Sequence, residues 1–400
     1  MINKISFARF NNMHEVVNFF KLPPLSLYVH IPWCIKKCPY CDFNSYSVTS
    51  IKSIDEDLFF QTLQLDLEQA LPFIWGRKII SVFLGGGTPS ILSEYTVDKI
   101  LNMIRKYLPL IPNAEIVLEA NPSSIDFKKF VSFSKSGINR FSLGIQSFDD
   151  KFLKILGRSH SSNDAKKAID IAQKTDARVN LDIMFALPNQ TIEESLLDIQ
   201  QALSYNTEHL SIYHLTIEPN TNFYKSKPIL PNEDIAMMME NNIEKTMFNH
   251  NFEQYEVSAY AKNKKYSIHN MNYWTFGDYL GIGPGAHSKI SNKNCVIREV
   301  RAYNPKLWTK LTNKNDKSHI VETKILNKKD LIFEFMLNVL RLKNGIDITL
   351  FQQRTGLNVT EIMKKIQTAN ELNLLEINST NIKPTLKGWK FLNDLQSLFL

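Results

Sequence analysis

The 400-residue chain has no run approaching the ~18 consecutive apolar residues that a membrane-spanning helix needs. Its first residues, "MINKISFARFNNMHEVVNFFKLPP", hold no continuous apolar stretch and no small-residue cleavage site. They read as a short extension over 1–24 and not as a signal peptide. Short-period repeats and low-complexity tracts are missing, and 25 Phe with 22% charged residues argue against disorder. The net charge of +7 is spread over Lys-rich loops, with no concentrated basic stripe interleaved with aromatics, so no nucleic-acid face is expected. Cysteine is scarce. Four cysteines, three of them within eight residues, do not make a disulfide framework. Crowded free thiols fit a reducing compartment, so the chain reads as cytoplasmic.

What is present is alternation. Short β-rich runs separate helical patterns: "SLYVHI" (26–31), "IISVFLGGG" (79–87), "AEIVLEANP" (114–122), "NRFSLGIQ" (139–146), "RVNLDIMFALP" (178–188) and "EHLSIYHLTIEP" (208–219). Helical periodicity fills 53–73, 93–107, 162–175 and 191–205. Strands alternating with helices predict a parallel sheet. Six such runs predict an α/β fold, an incomplete (β/α)6 barrel open on one side, over 25–300. Each run is apolar and then delivers polar residues or glycines at its C-terminal end. Active sites of barrel folds gather at that end of the strands. After residue 300 the pattern changes to three helical stretches, two short β-like runs and a final helix. This predicts a small α+β domain of winged-helix type over 301–400, serving as a lid or partner surface.

Cys34, Cys38 and Cys41 lie in "LYVHIPWCIKKCPYCDF" with the spacing C-x3-C-x2-C. Thiolates at this density select zinc or an iron–sulfur cluster. Structural zinc takes four closed ligands. The fourth cysteine, Cys295, is about 250 residues away and has no partner near it. Three thiolates on a cubane cluster leave one iron without a protein ligand, free to take a small molecule. A purely structural metal site stays open as an alternative.

The cysteine spacing, the "FLGGGTPS" loop (83–90) after the second strand and the βα alternation together resemble the radical S-adenosylmethionine (SAM) family. The resemblance implies a [4Fe–4S] cluster on Cys34, Cys38 and Cys41 whose free iron chelates the amino and carboxylate groups of SAM. It implies that Gly86, Gly87 and Thr88 contact the methionine moiety, where glycine lets backbone approach closely. Tyr40 resembles the aromatic near the adenine, and simple packing over the cluster is its other reading. Glu119, Gln146, Arg158 and Asp182 stand at or near strand ends. Each alone is as readily a helix cap, an ion pair or a surface arginine. Converging on one barrel mouth, they would supply hydrogen-bond acceptors and a cation to SAM.

Six stretches, in order from about residue 23 onward, resemble the HemW family of heme chaperones. They are "LYVHIPWC…KCPYCDFN", "FLGGGTPS", "LEANP", "GIQSFDDKFLKILGRSH", "LTIEPNT" and "HNMNYWTFGDYLGIGPGAH". That family is related to the oxygen-independent coproporphyrinogen III oxidase. The resemblance implies a further SAM contact from Tyr28, heme as a bound cofactor and hemoproteins as acceptors, and it names no electron donor. His269 stands where the HNxxYW motif places a proposed heme ligand, and Tyr273 and Trp274 would pack on a porphyrin. The same residues could form a hydrogen-bonded core, and His287 in "GPGAHS" is a second candidate ligand. The oxidase carries an additional cysteine where this chain has Phe43. Phe43 therefore favours the chaperone over a coproporphyrinogen-decarboxylating enzyme, which stays as the alternative. Ala186 replaces a glycine of the relatives' "GLP" turn, and Pro284 occupies a variable position.

Overall fold

The computed structural model describes residues 17–124 and 126–400. The larger part of the extension expected over 1–24 therefore lies outside the described residues. All six β-runs form strands: β1 Leu25–Ile31, β2 Ile79–Gly86, β3 Leu110–Ala120, β4 Arg140–Gln146, β5 Arg178–Phe185 and β6 His209–His214. They pair side by side in that order, each parallel to the next. The near-continuous burial of β1 and β5 is what a parallel sheet covered on both faces requires.

The helices between them begin where the sequence supplies caps. α1 (Glu56–Ile74), α2 (Glu94–Tyr107) and α3 (Phe127–Ser136) start behind Asp55, Ser93 and Asp126, whose side chains accept backbone N–H bonds of the first turn. α4 (Ser162–Gln173) and α5 (Ile192–Ser204) start with full capping boxes, Ser161 with Asp164 and Thr191 with Glu194. Their apolar faces and the strands share one core.

The sheet is wider than six strands. β7 (Glu253–Glu256) and β8 (Ala259–Ala261) extend it antiparallel beyond β6. On the other edge β9 (Asp278–Ile282) pairs parallel to β1, with Leu25 opposite Asp278 and Val29 opposite Ile282. β10 (His287–Ser291), β11 (Val296–Arg301) and β12 (Ile320–Ile325) continue from it antiparallel. The order is β12-β11-β10-β9-β1-β2-β3-β4-β5-β6-β8-β7. The barrel thus stays incomplete, as the six runs predict.

Between β8 and β9 the chain forms a short helix, α6 (Ile268–Trp274), across the inner face of the first two strands. Asn272 donates to the Ser26 hydroxyl at 2.9 Å, and His269 pairs with the Ser81 hydroxyl at 2.9 Å. Both serines sit near the starts of their strands, so α6 closes the barrel at the end opposite the cysteines.

The sheet runs past residue 301, the boundary expected from sequence. α7 (Pro305–Thr312) places Trp308 in the barrel core beside Phe59, their rings 5.9 Å apart. A second core begins at Leu326. It holds α8 (Lys328–Val339), the helices Thr349–Thr355 and Thr360–Glu371, and a three-stranded sheet, giving the winged-helix-like unit. Val17 and Phe19 are buried in this second core, and the Asn18 N–H donates to the Gly356 carbonyl at 3.1 Å. Phe276 and Val296 join the same cluster from the barrel side, so the two units share packed surface.

Candidate functional site

The cysteine loop leaves the end of β1 and is held from both sides. Trp33–Cys34 pairs with Tyr46–Ser47, which closes the loop on itself. The Gly87 and Thr88 N–H groups donate to the carbonyls of Ile31 and Trp33, each at 2.7 Å. The glycine loop after β2 is thereby joined to the cysteine loop by backbone hydrogen bonds. Glycine is required there. A Cβ on Gly87 would lie 2.4 Å from the Trp33 carbonyl oxygen, and one on Gly86, at φ +110°, would lie 2.6 Å from the His30 ring.

Cys34, Cys38 and Cys41 all line one cavity of about 450 Å³ at the C-terminal mouth of the strands. Each sulfur has a polar neighbour. The Thr88 hydroxyl donates to Cys34 Sγ at 3.5 Å, the Arg158 guanidinium to Cys38 Sγ at 3.5 Å, and Ser45 Oγ lies 4.0 Å from Cys41 Sγ. Burial pushes the Cys34 and Cys41 thiols up from their ordinary value, which favours their protonated form. Tyr40 lies in the same cavity and packs on Phe223 within an apolar cluster of Phe152, Leu156, Met184, Leu187 and Leu215.

The other walls carry most of the polar residues expected from sequence. Gly86, Gly87, Thr88, Glu119, Gln146, Arg158 and Asp182 line the cavity together. Glu119 accepts the Gly86 N–H at 3.1 Å. Burial, then the Asp182 carboxylate, raise Glu119 from 4.5 to about 8. Asp182 accepts from Ser142 at 3.1 Å and Asn180 at 2.8 Å, yet burial still raises it to about 6. Gln146 ends β4 at φ +69°, a left-handed residue that turns the chain at the rim. Arg158 also donates to the Gly144 carbonyl at 2.7 Å, while its buried Nε has no partner among the described residues. Ala186 is left-handed, at φ +56°, a conformation that glycine would adopt without strain.

Two expected residues stand apart. Tyr28 lines a second, adjoining cavity, where its hydroxyl pairs with His30 Nδ1 at 2.9 Å. His269 lines neither cavity. It is 2% exposed, and its ring lies between those of Phe83 at 4.8 Å and Tyr273 at 5.1 Å. Burial lowers its pKa to about 3, so the imidazole is neutral. The structure also brings in residues that the sequence did not single out. Ser45, Tyr213 and His214 line the first cavity, as do Ser267 and Asn270 beside His269. Tyr213 and His214 end β6, so strand-end position could have found them. Ser267 and Asn270 reach the cavity only because α6 folds back under it.

Known proteins share this chain's sequence pattern and fold. The model of the radical SAM superfamily matches residues 28–200, and that of the HemN C-terminal domain matches 326–391. Fold and site place the chain in the radical SAM class. The heme chaperone HemW of Buchnera aphidicola from Schizaphis graminum is 42% identical over 382 residues, 95% of this chain and 100% of that protein. The heme chaperone HemW of Escherichia coli K12 is 39% identical, over 95% of this chain and 99% of the relative. This protein belongs to the HemW family of heme chaperones. In fold it is similar to the E. coli coproporphyrinogen III oxidase HemN, with a TM-score of 0.80, 20% identity, and coverage of 94% and 90% of the two chains.

Proposed function

We propose that this protein is a heme chaperone: it binds heme, passes it to acceptor hemoproteins, and carries a SAM-binding [4Fe–4S] cluster on Cys34, Cys38 and Cys41. The observation that carries the cluster is the convergence of those three thiols, the Gly86–Gly87 loop and the Arg158 side chain on one cavity. Among the described residues no three His, Cys, Asp or Glu side chains are gathered closely enough to hold a single metal ion. The chemistry of the donor set, three cysteine thiols on one cavity, suits an iron–sulfur cluster.

When bound, the cluster supplies an iron without a protein ligand, to which SAM can attach. The chain's own groups do the positioning. Gly86 and Gly87 line the cavity beside the cysteines, where their backbone would meet the methionine portion. The Arg158 guanidinium, which lines the cavity, would be a charged donor for a carboxylate. Glu119 and Asp182 present oxygens to ribose hydroxyls. Tyr40 and the apolar cluster behind it keep water from that side of the cysteines.

Heme binding and delivery rest on the family. Phe43 supports the chaperone reading over decarboxylation, because it occupies the place of the oxidase's additional cysteine. No helix among the described residues is long and apolar enough to cross a membrane. The crowded free thiols support residence in a reducing compartment such as the cytoplasm.

The test is anaerobic reconstitution followed by hemin titration. Cys34→Ser, Cys38→Ser and Cys41→Ser should each lose the [4Fe–4S] absorbance and its electron paramagnetic resonance signal, whereas Cys295→Ser keeps both. Wild-type protein should bind hemin saturably at one equivalent and pass it to an apo-hemoprotein. Stoichiometric zinc without iron, or turnover of coproporphyrinogen, would overturn the reading.

A further inference from the structure

We propose that the second cavity is the heme seat and that His287 is the axial ligand to the heme iron. The inference rests on the heme-binding reading above and deepens it by naming the site.

The cavity measures about 550 Å³ and adjoins the first, sharing Lys37, Cys41, Asp42 and Phe43 with it. That volume falls within the usual range for a site holding one cofactor-sized molecule. Its walls are aromatic. Tyr28, Tyr273, Tyr279 and Tyr303 face it together with Phe43, which is 61% exposed. Flat rings around an open slot suit a planar macrocycle, which gains contact area without ordering flexible side chains. Lys37 sets an ammonium on the rim, with its Nζ 2.8 Å from the Phe43 carbonyl, where a porphyrin carboxylate would meet it.

Two histidines line this cavity, and only one can give up a lone pair. His30 has both nitrogens engaged, Nδ1 with the Tyr28 hydroxyl at 2.9 Å and Nε2 with the Asn44 carbonyl at 2.8 Å. His287 begins β10 at the exposed rim, its ring set edge-on to Tyr303 at 6.2 Å. No hydrogen bond to a described residue occupies either ring nitrogen. Ligation forms one Nε2–Fe or Nδ1–Fe coordinate bond and transfers no electron.

The wall that carries His287 is held in place. Asn44 of the cysteine loop donates to the carbonyls of Pro284 and Tyr303 at 3.0 and 2.9 Å. A Cβ on Gly285, at φ +80°, would lie 2.2 Å from the Asn44 amide. The HNxxYW helix also reaches the cavity, through Tyr273, whose ring packs on Tyr279 at 4.3 Å. The motif thus contributes a wall, while His269 stays in the barrel interior, its Nδ1 paired with Ser81.

The experiment is an anaerobic hemin titration of cluster-reconstituted protein, read by Soret absorbance and electron paramagnetic resonance. His287→Ala should weaken hemin at least tenfold and shift the Soret band, with cluster content and far-UV circular dichroism unchanged. His287→Tyr should bind hemin with the charge-transfer band of a phenolate ligand, which reports the position directly even if affinity is kept. Wild-type affinity and spectrum in both His287 variants would overturn the assignment while leaving heme binding intact. Loss of the wild-type spectrum in a folded His269→Ala protein, with His287→Ala unaffected, would return the ligand to His269. Absence of saturable binding by the wild-type protein would overturn heme binding itself.

Discussion

The Arg158 guanidinium lies 3.5 Å from the Cys38 sulfur and 2.7 Å from the Gly144 carbonyl, so one half-buried cation joins the cysteine loop to the end of β4. It uses Nη1 and Nη2 for those contacts and leaves Nε free. Arg158→Met should keep the length and apolar stem of the side chain while removing the charge. Hydrogen bonds to charged groups contribute about 1.5–3 kcal/mol, so SAM affinity should fall by roughly 10- to 150-fold while the cluster still assembles. Calorimetric titration of reconstituted protein with SAM, alongside iron and sulfide analysis, checks both halves.

Glu119 makes the apo protein's stability depend on pH with a definite sign. Its pKa rises from 4.5 to about 8 on folding, so between those values the native state holds more protons than the unfolded chain. Its contribution is therefore fully present below about pH 4.5 and is lost as pH rises through 8. Glu119→Gln should remove this slope. The Tm of the variant should gain on wild type as pH goes from 5 to 8, measured by thermal unfolding of the apo protein. A constant Tm difference over that range would contradict the raised pKa.

Gly86→Ala tests the junction of the two loops. The substitution places a Cβ in the left-handed region, at about 1–2 kcal/mol, and against the His30 ring, where overpacking costs about 1–3 kcal/mol. A loss of about 2–5 kcal/mol in urea unfolding is expected, with poor iron incorporation. A nearly neutral Gly86→Ala would mean that His30 yields more readily than its two hydrogen bonds suggest.

Asp66 is the buried anion that ties α1 to the opposite edge of the sheet. It accepts from Arg301 at 2.9 Å, from the Trp308 indole at 3.0 Å and from the Gly283 N–H at 2.9 Å. Burial pushes its carboxyl up, but Arg301, His319 and the Gly283 N–H outweigh that and hold it at about 2. Its stabilising contribution is present above the ordinary 3.8 and lost as pH falls toward 2. Asp66→Ala leaves the Arg301 cation buried without its partner, and should cost about 3–5 kcal/mol in chemical denaturation. Hemin affinity should fall with it, because Gly283 begins the loop that carries His287.

Residues near one another in sequence made much of this protein legible beforehand. The three cysteines span eight residues, so their spacing alone limits the metal chemistry. The six apolar runs are long enough to read as strands, and parallel pairing then sends Glu119, Gln146 and Asp182 to the same mouth. Gly86 and Gly87 were legible for the same reason, since a strand must end where glycine lets two backbones touch.

The remainder depends on contacts between distant segments, which local periodicity does not carry. β9 and β10 have five residues each and are separated by a loop holding Gly283, Pro284 and Gly285, and they form because β1 offers a free parallel edge and Asp66 accepts the Gly283 N–H. The order of cores was hidden too: Trp308 lies beyond the expected boundary yet packs on Phe59. Whether a histidine is a ligand or a core residue cannot be read from its neighbours in the chain, since both sit among aromatics. His269 is enclosed because α6 folds under the barrel, and His287 is open because Asn44 pins its loop at the rim. The sequence by itself determined the class of chemistry, through covalent spacing and strand order. Tertiary packing alone decided which side chains reach a cavity, because burial is a property of the assembled fold.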